Sequence, residues 1–443
     1  MHRVWRLADA AVLLLLFLLP MMILLGTAER TDRGPTLMFW LVLIFPLLIL
    51  PWLLRRADPD EGREAQVTAA RRVASSTNAS EEFGALVAPV VDVRRTYAEG
   101  GIPMVEGRLH DEPARAFASL ERLLAARNMT PLLEDRGQDG VRVIALPSTV
   151  NGELRRRSPT AVNIALFLAT IVTTVWAGAL QQGVNLLTDP GQFAIGLPYA
   201  AALLGILGVH EFGHYFTARR YGVDVTLPYF IPVPMGLGTF GAFIQIKSLI
   251  RTRRAVFDIG IAGPLAGLVV ALPVLYFGLR GAPPLPDPLH VTGVYSGSSL
   301  LLALMYQFAN GGALGTAVIR LSPVAFAGWI GLFITALNLM PVGQLDGGHM
   351  TYGLFGQRRA RQIGMGTFFV MLALGLTVWP GLLTWALMIV LIAGFSHMPA
   401  LDDVTPVDGK RFVLGALAIA IVVLTVVPLP AGMRGLMLDC PYM

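Results

Sequence analysis

Long apolar runs separated by short basic turns dominate the chain. A helix needs about 20 largely apolar residues to cross the hydrocarbon core. Runs near that length occupy 10–25, 35–54, 161–180, 193–216, 259–277, 322–340, 363–378, 381–395 and 412–427. The run 300–319 is also apolar, but Asn310-Gly311-Gly312 and Gly315 interrupt it, and it reads as a re-entrant or surface-lying segment. Only 55–158 is polar over a long stretch. Its first part, to about residue 80, is rich in charge, Ala, Ser and Thr and reads as a linker or loose helix. Beyond it, Asp111-Glu112-Pro113 is a helix start with Asp111 as the expected cap, followed by Ala116, Leu120, Leu123 and Leu124 at helical spacing. Residues 130–134 and 141–146 flank Asp135-Arg136-Gly137-Gln138-Asp139-Gly140, a hairpin signal.

The pattern predicts an α-helical polytopic membrane protein of about 8–9 transmembrane helices with a small cytoplasmic α+β domain. Its expected parts are an N-terminal transmembrane hairpin (1–56), the α+β domain with its linker (57–158), a membrane core (159–350) and C-terminal transmembrane helices (351–443). The first apolar run, preceded by Arg3 and Arg6, resembles a signal peptide, but its length and Pro20 favour an uncleaved hairpin.

Composition agrees: 54% of the 443 residues are hydrophobic and only 14% charged, against about 25% charged in soluble domains. The net charge of +5 would suit nucleic acid in a soluble protein. Here the arginines crowd the ends of apolar runs, so topology accounts for them and the lipid bilayer, not nucleic acid, is the expected partner. Cys440 is the single cysteine, which leaves no disulfide and no thiolate metal site.

The clusters Arg55-Arg56, Arg155 to Arg157, Arg219-Arg220, Arg251 to Arg254, Arg358 to Arg361 and Lys410-Arg411 should all lie on the cytoplasmic side. They do so consistently if 300–319 does not cross. That predicts nine crossings, or eight if the first is removed, in a bacterial inner membrane. The span 193–216 then runs from outside to inside.

That span carries His210-Glu211-Phe212-Gly213-His214. Residues four apart share a helix face, so both imidazoles can grip one zinc ion while Glu211 serves its water as general base. A chance match or two mutually satisfied histidines is the competing reading. Polar groups at this depth are costly and usually functional, which favours the metal. Two histidines leave zinc short of a protein ligand. The next outside-to-inside span closes on Asn338-Leu339-Met340-Pro341-Val342-Gly343-Gln344-Leu345-Asp346-Gly347-Gly348, where Asp346 is the carboxylate at matching depth. Asp258 competes, but beside Arg253 and Arg254 it reads as a helix-start residue. His349 reads as a neighbour of the site or a surface residue, and His2, His110, His290 and His397 have no partners in sequence.

Together these two motifs resemble the site-2 protease family of intramembrane zinc metalloproteases (peptidase family M50). Ala262-Gly263-Pro264-Leu265-Ala266-Gly267 is similar to the family's middle-helix Gly-Pro element. Pro232-Val233-Pro234 and the glycine-rich 236–243 resemble its membrane-dipping hairpin, expected here at 226–248. The absence of a PDZ-like insertion and the Pro-Tyr-Phe-Ile-Pro run at 228–232 are similar to the chloroplast and cyanobacterial group named for ethylene-dependent gravitropism and yellow-green phenotypes (EGY-type).

The resemblance implies one zinc ion per chain on His210, His214 and Asp346, with Glu211 as general base. Asn338 would position or polarise the scissile carbonyl, or else make a helix–helix hydrogen bond. Gly236, Gly238, Phe240 and Gly241 would approach substrate. The implied reaction is hydrolysis of a transmembrane-helix protein close to the cytoplasmic side. Two other classes stay open: a proteolytically inactive zinc-binding membrane chaperone, and a zinc transporter. Oligomeric state is left open.

Overall fold

The computed structural model describes residues 77–99, 101–148, 160–234, 236–282, 294–295, 299–311, 318–377, 383, 386, 394 and 399–426. The expected hairpin at 1–56, the arginines at 155–157, most of the expected span 381–395, His2, His290, His397 and Cys440 lie outside them.

The polar segment folds as α1 (Thr77–Val87), β1 (Val91–Glu99), β2 (Ile102–Leu109), α2 (Pro113–Ala125), β3 (Met129–Asp135) and β4 (Val141–Pro147). The strands form one antiparallel sheet in the order β1-β2-β4-β3. Helix α2 buries Ala116, Phe117, Leu120 and Leu124, one stripe at helical spacing, against Leu133 and Val143 of the sheet. Its N-cap is Glu112, not the expected Asp111. Pro113 takes the first helical position, while Asp111 Oδ1 accepts from the Glu112 backbone N–H just outside the helix.

Alternation along the strands turns Glu106 and Arg142 to the opposite face, where they are cross-strand partners. There Glu106 Oε1 accepts from Tyr97 OH at 2.9 Å and from Arg142 Nη2 at 3.0 Å. Those two hydrogen bonds hold its carboxyl below the usual carboxylate range.

Helices α3 (Thr160–Leu180), α4 (Leu197–Arg220), α5 (Arg253–Leu279), α6 (Leu300–Asn310), α7 (Pro323–Asn338), α8 (Asp346–Thr377) and α9 (Gly409–Val426) follow. Between α4 and α5 lies a hairpin of β5 (Tyr229–Pro232) and β6 (Thr239–Phe243). Among the described residues, four helical segments are long and apolar enough to cross a membrane: Thr160–Leu180, Pro190–Arg220, Arg253–Leu279 and Gly409–Val426. The expected span at 193–216 starts later as an α-helix. Pro190–Gly196 is a 3-10 stretch, and Pro198 marks the first turn of α4.

Helix α6 has 11 residues and stops at Gly311 in a left-handed conformation (φ 73°). At 1.5 Å per residue that is about 16 Å, roughly half the hydrocarbon thickness. Helix α8 runs through 32 residues but breaks at Gly356 (φ 76°), so it is two helices joined at a kink.

Helix α5 is the middle of the bundle and packs against α4, α7 and α8. Thr252 caps it by accepting from the Ala255 N–H. Pro264 and Pro273 lie inside it, as membrane helices tolerate when neighbours cover the exposed carbonyls.

The α+β domain is tied to the bundle by one strand-like segment. Leu401 N–H donates to Ile250 O (2.9 Å) and Asp402 N–H to Arg251 O (2.9 Å). On its other side Leu133 N–H donates to Leu401 O (2.7 Å) and Asp403 N–H to Leu133 O (2.9 Å). Leu401 thereby enters the domain's apolar core, and Arg251 grips Glu121 through Nε and Nη2.

Candidate metal centre

His210 and His214 sit one turn apart on the buried face of α4, three and six per cent exposed, with Glu211 five per cent exposed between them. Asp346 is the first residue of α8, delivered by a tight turn after α7. That turn is close-packed: a Cβ on Gly347 would lie 2.0 Å from Leu339 O, and one on Gly348 2.0 Å from Gly343 O. Only glycine lets the chain fold back so tightly behind Asp346.

Three donor atoms converge. His210 Nε2 and His214 Nε2 each lie 3.2 Å from Asp346 Oδ2, and 3.2 Å from one another. His214 Nδ1 lies 2.7 Å from Ile259 O, an acceptor only, so it carries a ring proton there and Nε2 is the ring atom that faces the triangle. Nitrogen lone pairs and a carboxylate oxygen crowded into one triangle repel unless a proton or a metal cation sits among them. Zinc at about 2.0–2.1 Å from each ligand in a tetrahedron places neighbouring donors about 3.3 Å apart, which matches this triangle. Two imidazoles and a carboxylate are also a donor set that catalytic zinc sites use, leaving the fourth position open. These are the only three His, Cys, Asp or Glu side chains so grouped among the described residues.

The surroundings are shaped to fit. Nδ2 of Asn338, the last residue of α7, lies 3.4 Å from His210 Nε2. Strand β6 packs against α4, the helix that carries Glu211. Helix α5 approaches the histidines with glycines: a Cβ on Gly263 would lie 2.1 Å from His214 Nε2, and one on Gly267 3.1 Å from His210 Nδ1.

Asp258 is not part of this triangle, and it does not start a helix either. It stands inside α5 and pairs with Arg411 of α9, Nε to Oδ1 at 2.7 Å, and with the Tyr221 hydroxyl. His349 Nδ1 turns back to Leu345 O, just before the start of its own helix (2.9 Å). Of the hairpin residues, Gly236 (φ 60°) and Gly241 (φ 102°) have open space where a side chain would stand, and Phe240 is 37% exposed. Gly238 is turned into α3 instead, since a Cβ there would lie 2.5 Å from Thr174 Cα. Sequence reasoning assigns no specific role to Gly263 and Gly267. The small-residue spacing Gly263-x-x-x-Gly267 beside a proline is the one signal that points to them.

Comparison with known proteins agrees with this geometry. The chain is 35% identical over 290 residues to the probable zinc metalloprotease EGY1, chloroplastic, of Arabidopsis thaliana, covering 60% of this chain and 53% of that protein. It is 32% identical to the protein of the same name from Oryza sativa subsp. japonica, covering 73% and 62%. It is 30% identical to the probable zinc metalloprotease EGY2, chloroplastic, of Arabidopsis thaliana, covering 54% and 43%. The chain thus matches about half the length of these relatives. Their names place them in chloroplasts, so the expected bacterial inner membrane draws no support from them. Residues 198–378 match peptidase family M50, a stretch that includes nearly all of α4 and the whole of α5, α7 and α8. The segment that holds His210, Glu211, His214 and Asp346 is therefore a peptidase family M50 domain.

Proposed function

We propose that the chain is an intramembrane zinc metalloprotease that hydrolyses a peptide bond in or near a transmembrane segment of a protein substrate, close to the cytoplasmic side. The observation that carries this is the 3.2 Å triangle of His210, His214 and Asp346 with the Glu211 carboxylate buried beside it, inside apolar helices. Zinc bound in such a triad polarises a carbonyl and makes water a stronger acid.

Glu211 then serves as general base, taking a proton from the attacking water and passing it to the leaving amine. The packing of β6 on α4 puts the hairpin beside the helix that carries this carboxylate. Asn338 Nδ2, beside His210, is placed to donate to the scissile carbonyl oxygen. His214 is held in register by Ile259 O. A transmembrane substrate helix hides its carbonyls in its own hydrogen bonds, so a segment must unwind before cleavage. The β5–β6 hairpin, with Gly236, Phe240 and Gly241 facing open space, could hold that segment by backbone pairing.

The arginines ending α4 support a cytoplasmic bias of the site, because His214 lies only five and six residues before Arg219 and Arg220. An inactive chaperone or a transporter is not favoured by the relatives, which are named as zinc metalloproteases.

The test is Glu211→Gln in the full chain reconstituted with a single-span substrate. Retained zinc with abolished cleavage supports the protease. A wild type that binds zinc but cuts none of a panel of single-span proteins points to the chaperone. Zinc flux into liposomes that persists in Glu211→Gln points to the transporter.

A further inference from the structure

The hairpin that packs against α4 does not stand alone; both of its ends are tied to α3 or to the start of α4. At the base, Asn163 Nδ2 donates to Leu227 O at 2.8 Å and Pro228 O at 3.1 Å. Asn163 is five per cent exposed in a largely apolar helix, where an unbonded amide would be costly. At the tip, Thr173 Oγ1 lies 2.7 Å from Gly238 O, nearer than the carbonyls of its own helix at 3.1 Å, so its single proton goes to the hairpin. Tyr199 OH, fully buried, donates to the adjacent Leu237 O at 3.0 Å. Between base and tip the Phe167 and Phe230 rings meet at 4.9 Å.

Gly238 permits this approach. Its φ of 80° and a would-be Cβ 2.5 Å from Thr174 Cα exclude any side chain there. Helix α3 is itself fixed to the segment entering α4, since a Cβ on Gly196 would lie 1.9 Å from Val175 O.

We infer that α3 is the clamp of the hairpin, and that Asn163, Thr173 and Tyr199 are positioning residues setting where its strands stand relative to Glu211. They touch neither the metal donors nor Glu211. They act through the hairpin, whose strand β6 packs against α4, the helix that carries Glu211. The strand β5 lies along α3, so the hairpin and α3 form one unit with β6 against α4. The effect on cleavage rests on the protease reading above; the effect on the hairpin does not.

The test uses the full chain in lipid nanodiscs. Thr173→Val combined with Tyr199→Phe removes the two hydroxyls that bind the tip while keeping shape, and Thr173→Ser keeps the Thr173 hydroxyl. Zinc per chain, amide hydrogen exchange over residues 229–243, and KM and kcat for a reconstituted single-span substrate are measured. The double variant should keep one zinc, exchange its hairpin amides roughly tenfold faster or more, and raise KM roughly tenfold with a smaller change in kcat. Thr173→Ser should match the wild type. Unchanged hairpin exchange in the double variant overturns the clamp, as does freed exchange with KM unmoved. If the double variant does not fold, Asn163→Leu alone decides by the same readouts. If the wild type cleaves no substrate, the protease reading fails and the exchange result alone decides the clamp.

Discussion

Gly263 of α5 and His214 of α4 are packed so closely that a single added methyl would stand 2.1 Å from the metal-facing nitrogen. The neighbouring helix therefore shapes the site as much as the helix that carries the ligands. Gly263→Ala should push the imidazole out of the triangle and weaken zinc binding roughly 10- to 100-fold, the scale of losing a ligand's orientation. Competition with a zinc-selective chelator measures this. An alanine variant with wild-type zinc affinity would show that the histidine finds another pose.

Zinc should also hold the helices together, because its three donors come from α4 and α8, helices separated by more than a hundred residues. Ligand binding adds stability in proportion to occupancy, about 4 kcal/mol at a thousandfold excess over Kd. Chelation should lower the thermal midpoint of the purified protein, and zinc but not magnesium should restore it, since the nitrogen donors disfavour the harder ion. Asp346→Asn should lose most of this zinc dependence. The idea fails if chelator leaves the midpoint of the wild type unmoved.

Stability should depend on pH through Asp403, at the joint between the α+β domain and the bundle. Burial pushes its carboxyl up to about 6, against the bond from Tyr352 and the nearby Arg253, with Asp135 and Glu134 adding to the rise. The folded state thus binds a proton more tightly than the unfolded chain, whose Asp titrates near 3.9. The stabilising contribution is fully present below about pH 4 and is lost as pH rises toward 6. Asp403→Asn keeps an acceptor for Tyr352 and removes the charge. Its unfolding free energy relative to wild type should rise between pH 4 and pH 7, by on the order of 3 kcal/mol at most. A pH-independent difference would rule out a raised Asp403.

At that same joint, apolar burial should outweigh the ion pair. Leu401 is seven per cent exposed within the domain core, so Leu401→Ala should cost about 2–5 kcal/mol. The Arg251–Glu121 pair has an Arg side chain 61% exposed, and Arg251→Ala should cost about 0–1 kcal/mol. Limited proteolysis of 77–148 in the two variants compares them. Equal protection in both would refute the ranking.

Much of the site is legible in the amino-acid sequence. Two histidines four apart share a helix face by period alone, and the missing ligand can be sought at equal depth on another span with the same direction. The strands 129–135 and 141–147 are legible from their turn residues. Asp258 shows where such reading stops. Its arginine neighbours in sequence suggest a helix start, yet its partner is Arg411, 153 residues away. The segment around Leu401, which joins β3 to Ile250, is equally hidden, because backbone pairing between distant stretches leaves no local pattern.

The sequence by itself therefore determined the membrane-apolar class, the helix face that carries His210, Glu211 and His214, and the candidacy of Asp346, all of which follow from local period and composition. Only the tertiary structure decided that the three donors close to 3.2 Å, that Gly263 makes room for His214, and that Asn163, Thr173 and Tyr199 hold the hairpin beside α4. Those relationships depend on how closely separate helices approach, and that distance is set by the small side chains of both partners together.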